Sequence, residues 1–268
     1  MTRVEPLELL RPQWPAPPGV QAVCSTRAGG VSAPPFDSLN LGDHVGDDPA
    51  AVAANRARFA AALGARPVFL RQVHGLHVAT LDAATPDGTE ADACLTRARG
   101  LACTIMVADC LPLLLCDTQG EVVGAAHAGW RGLAGEVAGR ATGRGVIEAL
   151  FDGFAAQLGL PPSAAATRAM VWLGPCIGPQ AFEVGPEVKA PFEAHDPAAA
   201  ACFSPHAPGK WLADLPALAR QRLRALGVEA IHGNNGSTGW CTVAKASSFF
   251  SHRRDRVSGR FAAAIWRA

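Results

Sequence analysis

Short, near-continuous apolar runs separated by turn residues dominate the middle of the chain. Leu101 to Val107, Leu113 to Cys116 and Val122 to Ala126 have strand length and no polar face, which predicts strands buried on both sides. Val20 to Ser25, ending at the Thr26-Arg27-Ala28-Gly29-Gly30 turn, predicts an earlier strand. Val68 to Val73 and Leu76 to Leu81 predict two strands that meet at His74-Gly75, Met170 to Leu173 another, and Arg260 to Trp266 a closing one. Helical signals are fewer. Ala50 to Leu63 follows Asp48 as N-cap and Pro49 at the first helical position, and stops at Gly64. Leu215 to Leu226 lies between Asp214 and Gly227, with Arg220, Arg222 and Arg224 expected on its wet side. Leu133 to Leu158 has helical spacing, yet Gly135, Gly139, Gly143 and Gly145 each cost up to ~1 kcal/mol relative to alanine, which points to close packing or a break near Gly143. Residues 1–19 are proline-rich and predict an extended lead-in; 20–268 carries no repeat, low-complexity tract or linker and predicts one α/β domain.

Composition narrows the classes. Hydrophobic content of 49% against 18% charged residues excludes a disordered chain. A net charge of +1 excludes a broad basic face for nucleic acid, so anion recognition should be local. No signal peptide and no run of ~18 apolar residues is seen, which predicts a cytoplasmic protein with no membrane partner. The eight cysteines include no CxxC pair and read as reduced thiols. Tyrosine is absent, so no phenol can act as general acid.

The candidate chemistry lies in Arg71-Gln72-Val73-His74-Gly75, Ala108-Asp109-Cys110-Leu111-Pro112 and Ala126-His127-Ala128-Gly129-Trp130-Arg131-Gly132. His74, Cys110 and His127 make a three-ligand set for zinc, with copper as the alternative, and leave one coordination position open. Two neutral imidazoles and one thiolate leave one positive charge on a divalent ion, enough to hold an anion and to acidify water toward pKa ~7. The ligands are too far apart in sequence for a finger or knuckle and must converge through the fold, at a rim where buried strands end. The bland alternative for each residue is a core thiol or a strand-end histidine with a satisfied hydrogen bond.

The segments Ser25 to Ser32, Ser38 to Gly42, His44 to Asp48, Gln72 to Gly75, Ala108 to Pro112, His127 to Gly132, Gly174 to Gly178 and Phe249-Phe250-Ser251 with Arg253-Arg254-Asp255 resemble, in order, the YfiH family of laccase-domain or polyphenol oxidase proteins. The resemblance implies a mixed α/β layered sandwich, similar to a toxin deamidase that works with a Cys-His pair. It implies a zinc-binding enzyme that splits adenosine, inosine and methylthioadenosine with phosphate and can deaminate adenosine. It also implies a link to editing of peptidoglycan precursors in bacteria. The family's metal ligands fall on His74, Cys110 and His127. His252 departs from the pattern, standing where an aromatic residue, usually tyrosine, is expected.

For phosphorolysis, Arg27 and Arg131 are the expected phosphate clamps, because a guanidinium offers parallel donors. Asp109 is the candidate to orient an imidazole or relay a proton, unless it only caps a strand end. Gln72 and Asn40 are candidates for bonding base or sugar, with turn stabilisation as their alternative. Arg253 and Arg254 read as phosphate contacts or as ion-pair partners, and His44 is the other histidine in a suggestive loop. Purine nucleosides and phosphate are the expected partners, and a monomer is the expected state. Multicopper oxidation is excluded because the chain has no HxH pair, and the HxE and PCxxC signature of zinc deaminases is missing as well. Two rivals remain: a metal-free hydrolase with Cys110 as nucleophile, His127 as base and His74 or Asp109 orienting it, and a non-catalytic module of cell-wall assembly.

Overall fold

The computed structural model describes residues 7–137, 140–141 and 143–268. The chain opens with β1 (Leu9–Leu10), β2 (Val20–Ser25), α1 (Pro49–Leu63), β3 (Arg66–Phe69), β4 (Val78–Thr80), β5 (Ala93–Thr96), β6 (Leu101–Val107), β7 (Leu111–Asp117) and β8 (Val123–Ala128). It continues through α2 (Trp130–Ala134), the short pair β9 (Glu136–Val137) and β10 (Arg140–Ala141), α3 (Val146–Leu158), α4 (Pro162–Arg168) and β11 (Ala169–Leu173). Last come β12 (Glu183–Val184), α5 (Pro186–His195), β13 (Phe203–Pro205), β14 (Trp211–Ala213), α6 (Leu215–Ala225), β15 (Ala230–Gly233), α7 (His252–Asp255) and β16 (Phe261–Arg267).

A five-stranded sheet, ordered β1-β2-β16-β6-β3, lies on a six-stranded one, ordered β15-β11-β7-β8-β5-β4. Successive side chains along a strand point to opposite faces, and here both faces are covered. Cys103, Ile105 and Val107 of β6 enter the layer between the sheets, meeting Leu114 and Cys116 of β7 and Val123 and Ala125 of β8. Ala102 and Met106 face the other way, toward Phe59 and Leu63 of α1. On the far side, Leu113, Leu115 and Ala126 meet Leu150, Phe151 and Phe154 of α3 and Leu218 of α6. This four-layer α/β/β/α arrangement is why β6, β7 and β8 read as near-continuous apolar runs: all their residues are buried.

Several expectations need correction. Over Leu133 to Leu158 the break expected near Gly143 is present and wider than one residue: α2 stops at Gly135, left-handed at φ 75°, and α3 begins after Gly145. A Cβ on Gly145 would lie 2.3 Å from the Leu133 carbonyl oxygen, so glycine permits the backbone crossing that separates them. Arg222 is buried, not on the wet side of α6; it donates to Glu148 Oε1 at 2.7 Å and to the Ala134 carbonyl. Part of the lead-in joins the sheet, since Leu9 pairs with Ser25 and Leu10 with Cys24. The strands expected either side of His74 shorten to β3 and β4, because residues 70–77 form the connection between them. That connection runs from one large sheet to the other, and so does the turn from β6 to β7.

Candidate metal centre

Those two crossings bring the candidate ligands together. His74 lies in the β3–β4 connection, Cys110 in the β6–β7 turn, and His127 near the end of β8. Leu111 pairs with Ala128 and Pro112 with His127, so the next register position sets Cys110 against Gly129. A Cβ on Gly129 would sit 2.8 Å from His74 Cδ2 and 2.9 Å from Cys110 Sγ; the missing side chain is the space the cluster occupies. The donor atoms of His74, Cys110 and His127 lie within 4.8 Å of one another, and Cys110 Sγ is 3.7 Å from His74 Nε2. A tetrahedral ion with bonds of ~2.0 Å to nitrogen and ~2.3 Å to sulfur needs ligand separations of roughly 3.5 Å, so this donor set fits one cation. His74 and Asp109 both take positive φ, 61° and 94°, local strain of a kind that collects at functional sites.

Asp92, which the sequence reading missed, organises the cluster. It has no solvent exposure, and its Oδ1 lies 2.8 Å from His127 Nδ1. That contact leaves His127 Nε2 as the nitrogen available to an ion, the carboxylate–imidazole pairing common around metals. The same carboxylate accepts from the backbone N–H of Val73, His74 and Gly75 at 3.1, 2.9 and 2.7 Å, pinning the loop that carries His74. Burial disfavours the Asp92 charge, but His127 and these amides outweigh it and hold the carboxyl below its ordinary pKa. Burial likewise opposes a Cys110 thiolate, yet the adjacent His127 and His74 bring that thiol down to about 6. His127 is pushed up to about 9 against its own burial by Cys110 and Asp92. Without a metal, these shifts favour a thiolate–imidazolium pair backed by a carboxylate.

The cluster opens into a cavity of about 410 Å³, within the usual range for small-molecule sites. Met106, Val107, Trp130, Ile177, Phe182 and Leu215 give its wall apolar surface, and Arg253, Arg256 and Arg260 bring guanidinium groups to it, with His44 and His252 also lining it. Asp109 and Gln72 reach this cavity; Arg27, Asn40 and Arg131 are not on its wall. Arg27 donates to the Asp37 and Ala246 carbonyls and to the Asp37 carboxylate, and it covers the Phe250 ring. Arg131 lies over the Trp130 ring. Asn40, wholly buried, bonds Gly42, Asp47 and the Arg260 N–H, the turn-stabilising alternative. Gln72 clamps the Met106 backbone in both directions at 2.8 Å. Asp109 accepts from Thr242 Oγ1 at 2.5 Å and from the Arg253 N–H at 2.6 Å, so the imidazole-orienting role expected of it belongs to Asp92. Of the paired arginines, Arg254 is engaged with Asp255, while Arg253 reaches the cavity.

Asp92 left a faint mark in the sequence, a lone carboxylate between Ala91 and Ala93 ahead of a short apolar run. Arg260 left one too, as a charge heading an apolar strand, whereas nothing local marks Arg256.

Known proteins share this architecture along its whole length. Residues 21–268 match the family described as multi-copper polyphenol oxidoreductase laccase. A Pseudomonas aeruginosa protein named as a purine nucleoside phosphorylase is 49% identical over 96% of this chain and 97% of its own. The Escherichia coli protein named purine nucleoside phosphorylase YfiH is 47% identical over 97% of this chain and 98% of its own. Among solved structures, a Neisseria meningitidis protein of the DUF152 family superimposes with a TM-score of 0.86 at 42% identity, covering 97% of this chain and 98% of its own. YlmD from Geobacillus stearothermophilus gives 0.84 at 32% identity, covering 97% and 96%. With the family pattern, the full-length relatives and the shared fold in agreement, this chain belongs to the laccase-domain family that includes YfiH.

Proposed function

We propose that the protein is a metal-dependent purine nucleoside phosphorylase. It cleaves adenosine, inosine and S-methyl-5'-thioadenosine with phosphate to give the purine base and the sugar 1-phosphate, and it deaminates adenosine at the same centre. The observation that carries this reading is the convergence of His74, Cys110 and His127 at a cavity lined by both apolar side chains and three arginines. The names of the full-length relatives support the substrate class.

His74, Cys110 and His127 would hold the ion, zinc by the donor set with copper as the alternative; when bound, it supplies a net positive charge and a Lewis-acid position open to substrate. Asp92 keeps the His127 ring turned toward that position. Trp130, Ile177 and Phe182 offer a surface for a purine ring and exclude water from around it. Phosphorolysis builds positive charge on the sugar and needs an anionic nucleophile held below it, and the arginines that line the cavity suit that nucleophile.

A second reading has its own support: Cys110, His127 and Asp92 form a nucleophile, base and orienting acid, with the thiol pKa brought to about 6. Measuring metal content and turnover of adenosine with and without phosphate, before and after chelation, separates the two. Stoichiometric zinc and phosphate-dependent release of adenine are expected. Cys110→Ala and His127→Ala should lose both metal and turnover while their circular dichroism matches wild type. Full activity in a metal-free protein would establish the thiol mechanism instead.

A further inference from the structure

The arginines that line the cavity are more than the metal cluster requires. Arg253, Arg256, Arg260 and His44 stand there with one carboxylate, Asp109, whose two oxygens are taken by Thr242 and the Arg253 backbone. Arg253 itself is committed, donating to the Glu183 carbonyl at 3.1 Å and lying over the Phe182 ring.

Arg256 and Arg260 are not committed in this way. Arg256 makes no side-chain hydrogen bond or ion pair with a described residue, and its backbone takes φ 64°, a conformation an arginine adopts at a cost. Arg260 Nη1 donates to the Ser258 and Gly259 carbonyls at 2.8 and 3.1 Å, which fixes the group while its Nε and Nη2 contact no acceptor among the described residues. No carboxylate forms an ion pair with it there, and the Arg260 N–H is held by buried Asn40. Burial, and then the charge of nearby Arg260, lower the His44 pKa, which leaves its ring as a neutral hydrogen-bonding group beside the arginines. Arginines in a cavity that form no ion pair with its carboxylate leave their fork of N–H donors open to an anion, and a tetrahedral oxyanion matches that fork.

We infer that Arg256 and Arg260, flanked by His44, form an oxyanion subsite separate from the His74–Cys110–His127 cluster, which takes the phosphate group of the reaction. This rests on the phosphorylase reading above. The shared ligand chemistry is a phosphate, arriving as inorganic phosphate or leaving as the ester on the sugar. Arg27 and Arg131, the clamps expected from sequence, are outside this subsite.

The test is calorimetric titration of the full-length protein with inorganic phosphate and, separately, with ribose 1-phosphate, beside steady-state kinetics and metal analysis. Arg256→Met should weaken both ligands about 10- to 100-fold, the loss typical of a charge-assisted hydrogen bond, and Arg256→Lys should restore part of it. The KM for phosphate should rise in step, the KM for nucleoside should change much less, and metal content should stay at wild-type level. Arg260→Met should behave alike; if it fails to fold, Arg256→Met and His44→Gln decide. Phosphate affinity unchanged in Arg256→Met, or abolished by chelation while the arginine variants bind normally, overturns the subsite. So does loss of ribose 1-phosphate binding with inorganic phosphate retained. Arg256-dependent phosphate binding in a protein that consumes no nucleoside would uphold the subsite and refute the phosphorylase reading. Nucleoside turnover with an unchanged phosphate KM in Arg256→Met would do the reverse.

Discussion

Asp92 bonds three consecutive backbone amides and one imidazole from a fully buried position, so its effect is on where His74 and His127 stand. Asp92→Asn keeps the shape but replaces one acceptor oxygen by a donor. Metal affinity, measured by competition with a chelator, should fall about 10- to 100-fold, as is usual when such a partner is lost. Gly129 makes the complementary point. Its φ of −66° and ψ of 159° are open to alanine, so Gly129→Ala would add no backbone strain, only a methyl pressed on His74 and Cys110. Displacing these groups by a fraction of an ångström should cost roughly 100-fold in turnover with little change in thermal midpoint; a large fall in the midpoint would show a structural role instead. His74, Cys110 and His127 were legible in the sequence because each sits in a string of characteristic neighbours. Asp92 was not, because a carboxylate becomes an orienting group only when folding brings an imidazole to it.

Among the elements, the long helical stretch after His127 shows how glycines qualify spacing. Apolar residues recur at helical intervals through Leu133 to Leu158, yet a left-handed turn at Gly135 and the crossing at Gly145 divide it. The division lets α2 start at the metal-site rim while α3 packs under β8. Arg222 on α6 joins the pieces through Glu148 and the Ala134 carbonyl, with 4% and 8% of the two charged side chains exposed. Removing one partner of a buried pair leaves an uncompensated charge, so Arg222→Met should lower unfolding free energy by about 3–5 kcal/mol in urea titrations. Adding Glu148→Gln should recover part of that loss, and strictly additive effects would argue against coupling. Periodicity found the faces of these helices, but the glycine turns that separate them depend on which backbones meet.

For the molecule as a whole, the two sheets make a four-layer body, and the carboxylates that staple its turns set its acid limit. Asp117, with an unexposed side chain, accepts from the Gln119, Glu121 and Val122 N–H groups and pairs with Arg168 at 2.5 Å. Burial raises its pKa, but these partners outweigh burial and hold it below the ordinary range. Its folded pKa is therefore lower than the unfolded value of about 3.9, so its contribution is complete above that value and fades as pH falls through the folded one. Asp117→Asn should be less stable than wild type at pH 7, with the gap narrowing toward pH 3 in thermal melts; a constant gap would contradict the assignment. Among the described residues, no helix is long and apolar enough to cross a membrane. From the sequence alone came the family, the mixed α/β class, the doubly buried strands and the three candidate ligands, because these depend on residue type and local order. The tertiary structure alone decided which acid orients His127, which arginines face the cavity and which stay in loop packing. Those outcomes depend on two chain crossings between sheets, which bring together residues far apart in sequence and leave Arg27 and Arg131 elsewhere.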